Sequence, residues 1–211
     1  MIFSNPRPYA ADVTPSYLHK VPDRPLRAAG VPVDDVWDLV NSRHQYKAAI
    51  PVLLDWLQNL DRRMSENEPG RLREGIVRAL TVPAAKRIAA PALIAEFRKS
   101  SNAVDSATHW AIGNALGVVA DDSFFDEIEE LVRDRGHGRA RQAIVLRLGR
   151  SRDPRAVSLL IALLDDDEVA AHAVSALGTL KDSTARPALE PMLNHPNALV
   201  RREAKKALAK L

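Results

Sequence analysis

Four acidic side chains in a row form the densest group of chemically active residues in the sequence. They are Asp165, Asp166, Asp167 and Glu168. Carboxylates can hold a hard cation, but a calcium loop needs ligands at alternating positions and a glycine at its bend, and this run has neither. Adjacent carboxylates on a turn also do not face one pocket, as a general acid and its base must. The run therefore predicts helix capping rather than a metal site or a catalytic pair.

The histidines do not form a ligand set either. No two of them lie three or four positions apart, so no single helix offers two ligands side by side. They are His19, His44, His109, His137, His172 and His195. The sequence Gly136-His137-Gly138 favours a flexible turn over a mobile catalytic histidine. The chain has no cysteine, which excludes thiolate metal sites and cysteine nucleophiles and indicates a cytoplasmic protein. We therefore predict no catalytic residue, no cofactor, no metal and no enzyme activity.

A repeated pattern organises the last third of the chain. Asp153-Pro154 opens an apolar segment, an acidic turn follows, and a second apolar stripe ends at Gly178. The pattern begins again at Asp182, 29 residues after Asp153. Each unit indicates two short amphipathic helices joined by a tight turn.

The second helix of each unit has apolar residues at offsets 0, +4, +7 and +8, which is one face of a helix. This stripe occurs five times, as Leu72, Ile76, Ala79, Leu80; Thr108, Ile112, Ala115, Leu116; Ala140, Ile144, Arg147, Leu148; Val169, Ala173, Ala176, Leu177; and Val200, Ala204, Ala207, Leu208. Arg147 interrupts a column of small residues, so we expect the third unit to bend or to expose that side chain. Gly117, Gly149 and Gly178 follow the stripe, where we expect helices to end in the left-handed conformation.

The first helices of the units align as well. They share a leucine column, formed by Leu53, Leu93, Leu131, Leu160 and Leu189. Pro51, Pro91 and Pro187 stand two residues before three of these leucines. A proline in this position predicts a helix start or a kink.

These features resemble HEAT repeats, and the short units after residue 121 are similar to the phycobilisome-lyase-like subtype. The resemblance rests on the Ala-Leu-Gly helix ends, the paired apolar helices, the outer-helix prolines and the step Val200-Arg201. It covers about residues 45–211 and implies an all-α fold, a right-handed superhelix (an α solenoid) of about five helical hairpins.

The resemblance also implies a ladder between units, in which turn aspartates pair with arginines. Arg73, Arg141 and Arg201 occupy the arginine column. His109 and Ala170 depart from it, so we expect an incomplete ladder.

Residues 1–33 lie outside the pattern, which divides the chain into a proline-rich N-terminal arm and a solenoid over residues 34–211. Six prolines exclude a long helix in the arm. We favour an arm that covers the apolar face of the first unit; the alternative is an arm that reaches a second subunit or a partner through its aromatic residues. Residues 34–42 predict a short entry helix.

In HEAT-like stacks the second helices line the concave surface, which binds partners. Offsets +2 and +6 point most directly away from the apolar stripe, and Trp110 and Leu146 are large apolar residues on these otherwise polar rows. The alternative for Trp110 is a structural role, in a seam between units or beneath the arm. The predicted partner-binding residues are Trp110, Asn114, Gln142, Leu146, His172, Ser175, Arg202 and Lys206.

The leading hypothesis is a non-catalytic module that binds or scaffolds a protein partner. The net charge is only +3, but residues 198–211 contain five Lys and Arg against Glu203 alone. This excess suits the end of a solenoid, or an anionic partner. HEAT-like DNA glycosylases make nucleic-acid binding the alternative function, and an accessory or lyase-like protein is the third. No apolar run reaches membrane-spanning length, so no membrane partner is expected.

Overall fold

The chain folds into a stack of short α-helices. The computed structural model describes residues 23–40, 42, 46–63, 69–99 and 106–211, none of which lies in a β-strand. The described helices are α1 (Asp23–Ala28), α2 (Val36–Val40), α3 (Ala49–Arg63), α4 (Pro69–Leu80), α5 (Ala90–Arg98), α6 (Ser106–Val119), α7 (Phe125–Arg133), α8 (Gln142–Leu148), α9 (Ala156–Ala162), α10 (Ala170–Leu180), α11 (Arg186–Leu189) and α12 (Ala198–Leu208). Short 3₁₀ segments extend several of them, the longest being Arg135–Arg141 before α8.

Within the described ranges, five helical hairpins follow one another along the stack. They are α3–α4, α5–α6, α7–α8, α9–α10 and α11–α12. The second helices α4, α6, α8, α10 and α12 each pack against the next one in the series, and we call them the inner helices. The prediction of an all-helical solenoid is confirmed.

The predicted apolar columns form the core of this stack. All five residues of the leucine column are at most 1% exposed. The inner-helix stripes are buried too, with Leu208 only partly buried at the end of the chain. Pro91 and Pro187 lie in the first turns of α5 and α11, and Pro51 is the third residue of α3. The prolines therefore start helices, because a proline in the first turn removes a backbone donor that has no acceptor there.

The predicted left-handed helix ends at three glycines are wrong. Gly117 and Gly178 lie inside α6 and α10, and Gly149 follows α8 with φ −64°. A Cβ on Gly117 would lie 2.9 Å from the carbonyl oxygen of Ala143, and one on Gly178 would lie 2.7 Å from Cα of Ala207. These glycines are needed because each inner helix approaches the next one closely.

Arg147 does not point into solvent, contrary to one of our two expectations. Its side chain is mostly buried, and Nε donates a hydrogen bond of 3.1 Å to the carbonyl oxygen of Ala120. Nη2 lies 3.9 Å from the carboxylate of Asp122. Arg147 thus ties its inner helix to the connection between α6 and α7.

Acidic residues and one asparagine open most of the later helical segments. In each case the side-chain oxygen accepts a hydrogen bond from the backbone N–H two residues further on, which satisfies a donor at the helix start. These residues are Asp121, Asp134, Asp153, Asp166, Asp182 and Asn197. The hydroxyl of Ser123 also donates a hydrogen bond to the carboxylate of Asp121. The acidic run at 165–168 includes one of these caps, in line with the prediction.

The described part of the N-terminal region packs onto the first hairpin. Leu26 of α1 and Val31 are buried in the common core, and α1 contacts α3. The predicted entry helix is α2, which packs against α4. Residues 1–22 lie outside the described residues. They include Phe3, Tyr9 and Tyr17, the aromatic residues through which the alternative arm would reach a partner. None of the described helices is long and apolar enough to cross a bilayer.

Candidate functional site: the inner-helix wall

The eight predicted partner-binding residues all lie on inner helices. Trp110 and Asn114 are on α6, Gln142 and Leu146 on α8, His172 and Ser175 on α10, and Arg202 and Lys206 on α12. We call the solvent-facing surface of the five inner helices the inner-helix wall. Because these helices contact one another in order, residues far apart in the sequence share one surface.

Trp110 and Leu146 are exposed on this wall. Trp110 is 46% and Leu146 43% exposed, and they lie on the neighbouring helices α6 and α8. A tryptophan that filled a seam between units would be mostly buried, so this alternative does not fit Trp110. The other alternative, a position beneath the N-terminal arm, involves residues 1–22, which lie outside the described residues. Val118 of α6 is the other large apolar residue of this helix that is exposed.

Several charged residues of the wall pair with a neighbour on the same helix. Arg78 contacts Glu74 at 2.7 Å on α4. On α12, Lys206 lies 2.9 Å and Arg202 3.3 Å from the carboxylate of Glu203. Gln142 donates a 2.9 Å hydrogen bond to the carbonyl oxygen of Glu168, so its side chain joins α8 to the turn of the next hairpin. The wall is therefore polar at its margins without being strongly basic.

A buried ion pair joins the third and fourth hairpins. Arg141, fully buried, donates from Nη1 to Asp166 at 2.7 Å and to the carbonyl oxygen of Val132 at 2.9 Å. Its Nε donates to the carbonyl oxygen of Gly138 at 3.0 Å. Burial by itself raises the pKa of Asp166, but the hydrogen bond and charge of Arg141 outweigh this and hold that pKa below its ordinary value. This is an arginine–aspartate ladder step between two units.

Comparison with known protein families identifies the repeats. The family described as HEAT repeats matches residues 165–211, and the PBS lyase HEAT-like repeat matches residues 140–166. Residues 140–211 therefore consist of HEAT repeats. Among solved structures, a designed armadillo repeat protein, YIII(Dq)4CqI, is similar with 17% sequence identity and a TM-score of 0.45, over 83% of this chain and 98% of that one. None of the curated proteins compared with the chain matches it.

We call the contact surface between two successive hairpins a seam. At the seam between the first and second hairpins, an arginine pairs with two acidic residues. Arg73 is buried on α4 and pairs with Asp61 and with Glu96 of the next hairpin, whose Oε2 lies 3.1 Å from Nε. Lys99 completes the group by pairing with both acids. Asp61, Glu96 and Lys99 lie near the ends of their helices, at positions that the repeat pattern does not align. The repeat pattern alone therefore does not predict this network.

The seam between the second and third hairpins contains a cluster of aromatic rings. In the second hairpin, histidine replaces the arginine of the ladder. His109 stands in the arginine column of α6 and packs against Phe97 and His137, with ring centroids 4.6 and 5.1 Å away. Phe97 and His137 are 4.5 Å apart. The turn histidine, predicted as a plain flexible element, thus contributes to the packing of the seam. The departure of His109 from the arginine column was the sequence signal for this difference.

At the seam between the fourth and fifth hairpins, Ala170 stands in the arginine column and carries no charge. A contact between residues of two turns occurs there instead. Nε2 of His195 lies 3.7 Å from the carboxylate of Asp167. Arg201, in the final repeat, donates to the carbonyl oxygens of His195 and Pro196 in its own turn, at 2.7 Å each. The ladder is thus incomplete, as the sequence predicts.

Three partly or fully buried histidines make stability depend on pH. Burial lowers the pKa of His109, and the charge of His137 lowers it further; burial also lowers the pKa of His137 and of His172. Each folded-state pKa therefore lies below the unfolded value of about 6.5, so the unfolded chain binds more protons below that pH. The stabilisation that neutral histidines provide is complete above pH 6.5 and is lost as the pH falls through the folded-state pKa values.

We expect the free energy of unfolding to decrease as the pH is lowered from 7.5 to 5.0. Urea unfolding at several pH values measures this dependence, and His109→Gln should flatten it, since glutamine does not titrate. The lowered pKa values of Asp166 and Asp121, the latter about 2, belong to a more acidic range and leave this window unaffected. Equal stability of the unmodified protein at pH 7.5 and 5.0 would show that these imidazoles are hydrated in the folded state.

In the described residues, no group of three or more His, Asp or Glu side chains converges on a possible metal position. Asp165 and Asp166 of the acidic run are instead engaged by arginines of the preceding repeat. Arg135 lies 3.1 Å from Asp165, and Arg141 holds Asp166. The acidic run therefore forms part of the seam between the third and fourth hairpins.

Proposed function

We propose that the protein binds a partner protein on the inner-helix wall, with Trp110 and Leu146 as the apolar anchors. The observation that carries this proposal is the exposure of two large apolar side chains on adjacent inner helices. HEAT repeats are generally protein-interaction scaffolds, because their stacked helices present a long, stiff surface. The proposed role is therefore scaffolding or capture rather than covalent chemistry.

The remaining predicted residues suit the margin of such an interface. Asn114 and Ser175 are half-buried neutral residues, and His172 is mostly buried. Arg202 and Lys206 are exposed at the C-terminal end of the wall. An apolar centre with a polar margin is the usual composition of a protein–protein interface. A cytoplasmic location belongs to this proposal, since the sequence has no cysteine.

We expect Trp110→Ala and Leu146→Glu each to weaken partner binding at least tenfold, because truncating or charging a central anchor removes its buried contact. Affinity capture from a cell extract, followed by mass spectrometry, identifies the partner. Titration of that purified partner then measures the dissociation constant. Circular dichroism should show unchanged helix content, since both side chains are exposed.

The control is Ile88→Ala. Ile88 is 61% exposed and lies before α5, outside the inner helices. This variant should bind the partner like the unmodified protein. Equal binding by all three variants would exclude the proposed anchors, and equal loss in all three would indicate a general hydrophobic association.

Nucleic-acid binding is less well supported, because three of the basic residues of the wall have acidic partners. Glu74 lies beside Arg78, and Glu203 lies beside Arg202 and Lys206. Phosphate contacts would make duplex binding fall steeply with added salt. A titration with a DNA duplex at low and moderate salt therefore separates the two functions, and tight, salt-sensitive binding would favour nucleic acid. Self-association through the N-terminal arm and a lyase-like accessory role stay predictions.

A further inference from the structure

A histidine turn, Gly136-His137-Gly138, inserts one imidazole ring into the seam between the second and third hairpins. The ring centroid of His137 lies 4.5 Å from that of Phe97 and 5.1 Å from that of His109. The side chain of His137 is only 9% exposed. At the ladder position, this seam is therefore held by ring packing, whereas the next seam is held by the buried ion pair of Arg141 with Asp166.

The backbone of the histidine turn has the features of a hinge. Gly138 has φ 48° and ψ −132°, a conformation that glycine adopts readily and other residues do not, and it interrupts the 3₁₀ segment Arg135–Arg141. A Cβ at Gly138 would have no other atom within 4 Å, so the turn has open space on this side. A residue that absorbs large changes in φ and ψ lets His137 move without displacing α8.

His137 also closes part of a cavity of about 500 Å³ beside Trp110. The cavity lies where α4, the start of α6 and the 3₁₀ segment before α8 meet, and His109 contributes to its lining. If the ring of His137 left this place, it would uncover His109 and the fully buried ring of Phe97. The position of His137 therefore decides how much apolar surface lies open next to one of the proposed anchors.

The groups that attract a charged His137 lie at the protein surface. Its Nε2 is 3.5 Å from the carboxylate of Asp134, which is 62% exposed. Glu130 of α7 also attracts the charged ring, but this carboxylate pairs with Arg98 of α5 at 2.6 Å. Asp134 is therefore the acid best placed to receive a protonated imidazole that moves outward.

The groups on the other sides of His137 disfavour a charge. Arg141, fully buried in the same segment, repels the charged ring, and His109 of α6 becomes a like charge when protonated. Arg78 of α4 and Arg139 line the same cavity and add positive charge. A protonated His137 is therefore repelled from the seam and attracted to its surface.

His109 cannot accept a proton without exposing its ring. Its Nε2 is buried and has no hydrogen-bond partner among the residues that the structure describes, and the backbone of Phe97 already accepts a hydrogen bond from the ring. Protonation would turn Nε2 into a donor with no acceptor, which is costly inside a protein. Water reaches this nitrogen only if the ring that covers it moves, so the two histidines are coupled.

The sign of the pH dependence follows from the two positions of His137. In the seam, burial lowers the pKa of His137, while a ring in water titrates near about 6.5. The released ring therefore binds a proton more tightly than the packed ring does. The packed position is fully favoured above about pH 6.5 and is lost as the pH falls through the lowered pKa.

We propose that the histidine turn is a pH-dependent switch: protonation releases His137 from Phe97 and His109 toward Asp134, while the five hairpins stay folded. Release exposes Phe97 and widens the cavity beside Trp110. This is a local change within the native state, distinct from the loss of overall stability at low pH. One consequence rests on the proposed function, namely that a partner of the inner-helix wall meets a larger apolar surface at acidic pH.

NMR of the protein alone tests the switch. Nuclear Overhauser contacts from the ring of His137 to those of Phe97 and His109 are followed between pH 7.5 and 5.0, together with the backbone amide spectrum. We expect both ring contacts at pH 7.5 and the loss of both at pH 5.0, with dispersed amide signals of α6 and α8 throughout. Because no partner is present, failure of this test is separate from failure of the anchor variants.

Asp134→Asn should move the midpoint of the release to lower pH. Asparagine keeps an oxygen for the backbone N–H of Gly136 but lacks the charge that attracts the imidazolium. Asp165→Asn is the matched control, since Asp165 is an exposed acid paired with Arg135, and it should leave the midpoint unchanged. His172→Gln should also leave it unchanged, because burial lowers the pKa of this histidine too, but it lies on α10.

Three results would overturn the proposal. Ring contacts that persist at pH 5.0 while His137 titrates would show that the ring is protonated in place. Loss of the contacts only together with the dispersed amide signals would assign the change to unfolding. Equal midpoint shifts in Asp134→Asn and Asp165→Asn would show that the overall surface charge, rather than the carboxylate beside His137, governs the transition.

Discussion

Arg141→Ala is expected to lower the free energy of unfolding by about 3–5 kcal/mol, which is the usual cost of removing one partner of a buried ion pair. The side chain of Arg141 is 1% exposed and that of Asp166 6% exposed, so water cannot replace the lost contacts. The change would leave a buried carboxylate whose remaining contacts are the backbone N–H of Glu168, at 3.1 Å, and a longer ion pair, 3.8 Å, with Arg135. It would also remove the donors to the carbonyl oxygens of Val132 and Gly138.

The position of Arg141 at a seam adds a second expectation. In a repeat protein each unit is stabilised mainly by its neighbours, so a weakened seam can separate the stack into two parts that unfold independently. Urea denaturation should therefore show a smaller dependence on denaturant concentration or two transitions in this variant. Hydrogen exchange would place the earlier loss of protection on one side of the seam.

Two further variants test this interpretation. Arg135→Ala removes an exposed arginine from the same seam, with a side chain 63% exposed, and should cost less than about 1 kcal/mol. The double substitution Arg141→Met with Asp166→Leu removes both charges and should recover much of the loss, because an uncompensated carboxylate no longer remains. If Arg135→Ala and Arg141→Ala were equally mild, the pair would not stabilise the seam.

Gly113→Ala is expected to destabilise the protein by about 3 kcal/mol, the upper end of the usual range for overpacking. A Cβ at this position would lie 1.9 Å from the carbonyl oxygen of Ala140 and 2.9 Å from its carbonyl carbon. These are backbone atoms, so the strain can be relieved only by moving α6 away from the next repeat. Thermal or urea unfolding measures the change, and the helix propensity gained from alanine, up to about 1 kcal/mol, offsets part of it.

Gly75→Ala is the matched control for this prediction. Gly75 is also buried in an inner helix, but the atoms that a Cβ would meet there belong to side chains, the nearest being Cγ1 of Val36 at 2.6 Å. Side chains give way more easily than the backbone of Ala140, but Val36 is fully buried and β-branched, so we expect a loss smaller than at Gly113, about 1 kcal/mol. A loss at Gly75 as large as that at Gly113 would mean that any added methyl group is intolerable in this core.

Gly113 also shows what a sequence pattern leaves unexplained. A glycine within an apolar helical stretch disfavours the helix, which signals a packing reason without identifying the neighbour. The neighbour, Ala140, belongs to the next repeat, and the distance between the two helices depends on how the repeats stack. The same reasoning applies to Gly117, Gly149 and Gly178, for which left-handed helix ends are the wrong explanation.

From the sequence it was possible to predict which side of the helices carries the candidate site. A residue at offset +2 or +6 faces away from a stripe at 0, +4, +7 and +8, and this placed Trp110 and Leu146 outside the core. Whether a neighbouring repeat covers Trp110 depends on tertiary packing, and the structure leaves it 46% exposed. The cavity beside it was not predictable, because its lining comes from α4, α6 and the segment before α8, which the sequence separates by many residues.

The helices, their pairing into hairpins and the buried columns were predictable from the amino-acid pattern alone. These follow from local periodicity, since a residue's position around a helix depends only on its distance along the chain. The role of Arg147, the stacking of His109 with His137, and the close contacts of the glycines became visible only in three dimensions. These depend on the spacing and offset of neighbouring repeats, which arise from the packing of many side chains at once.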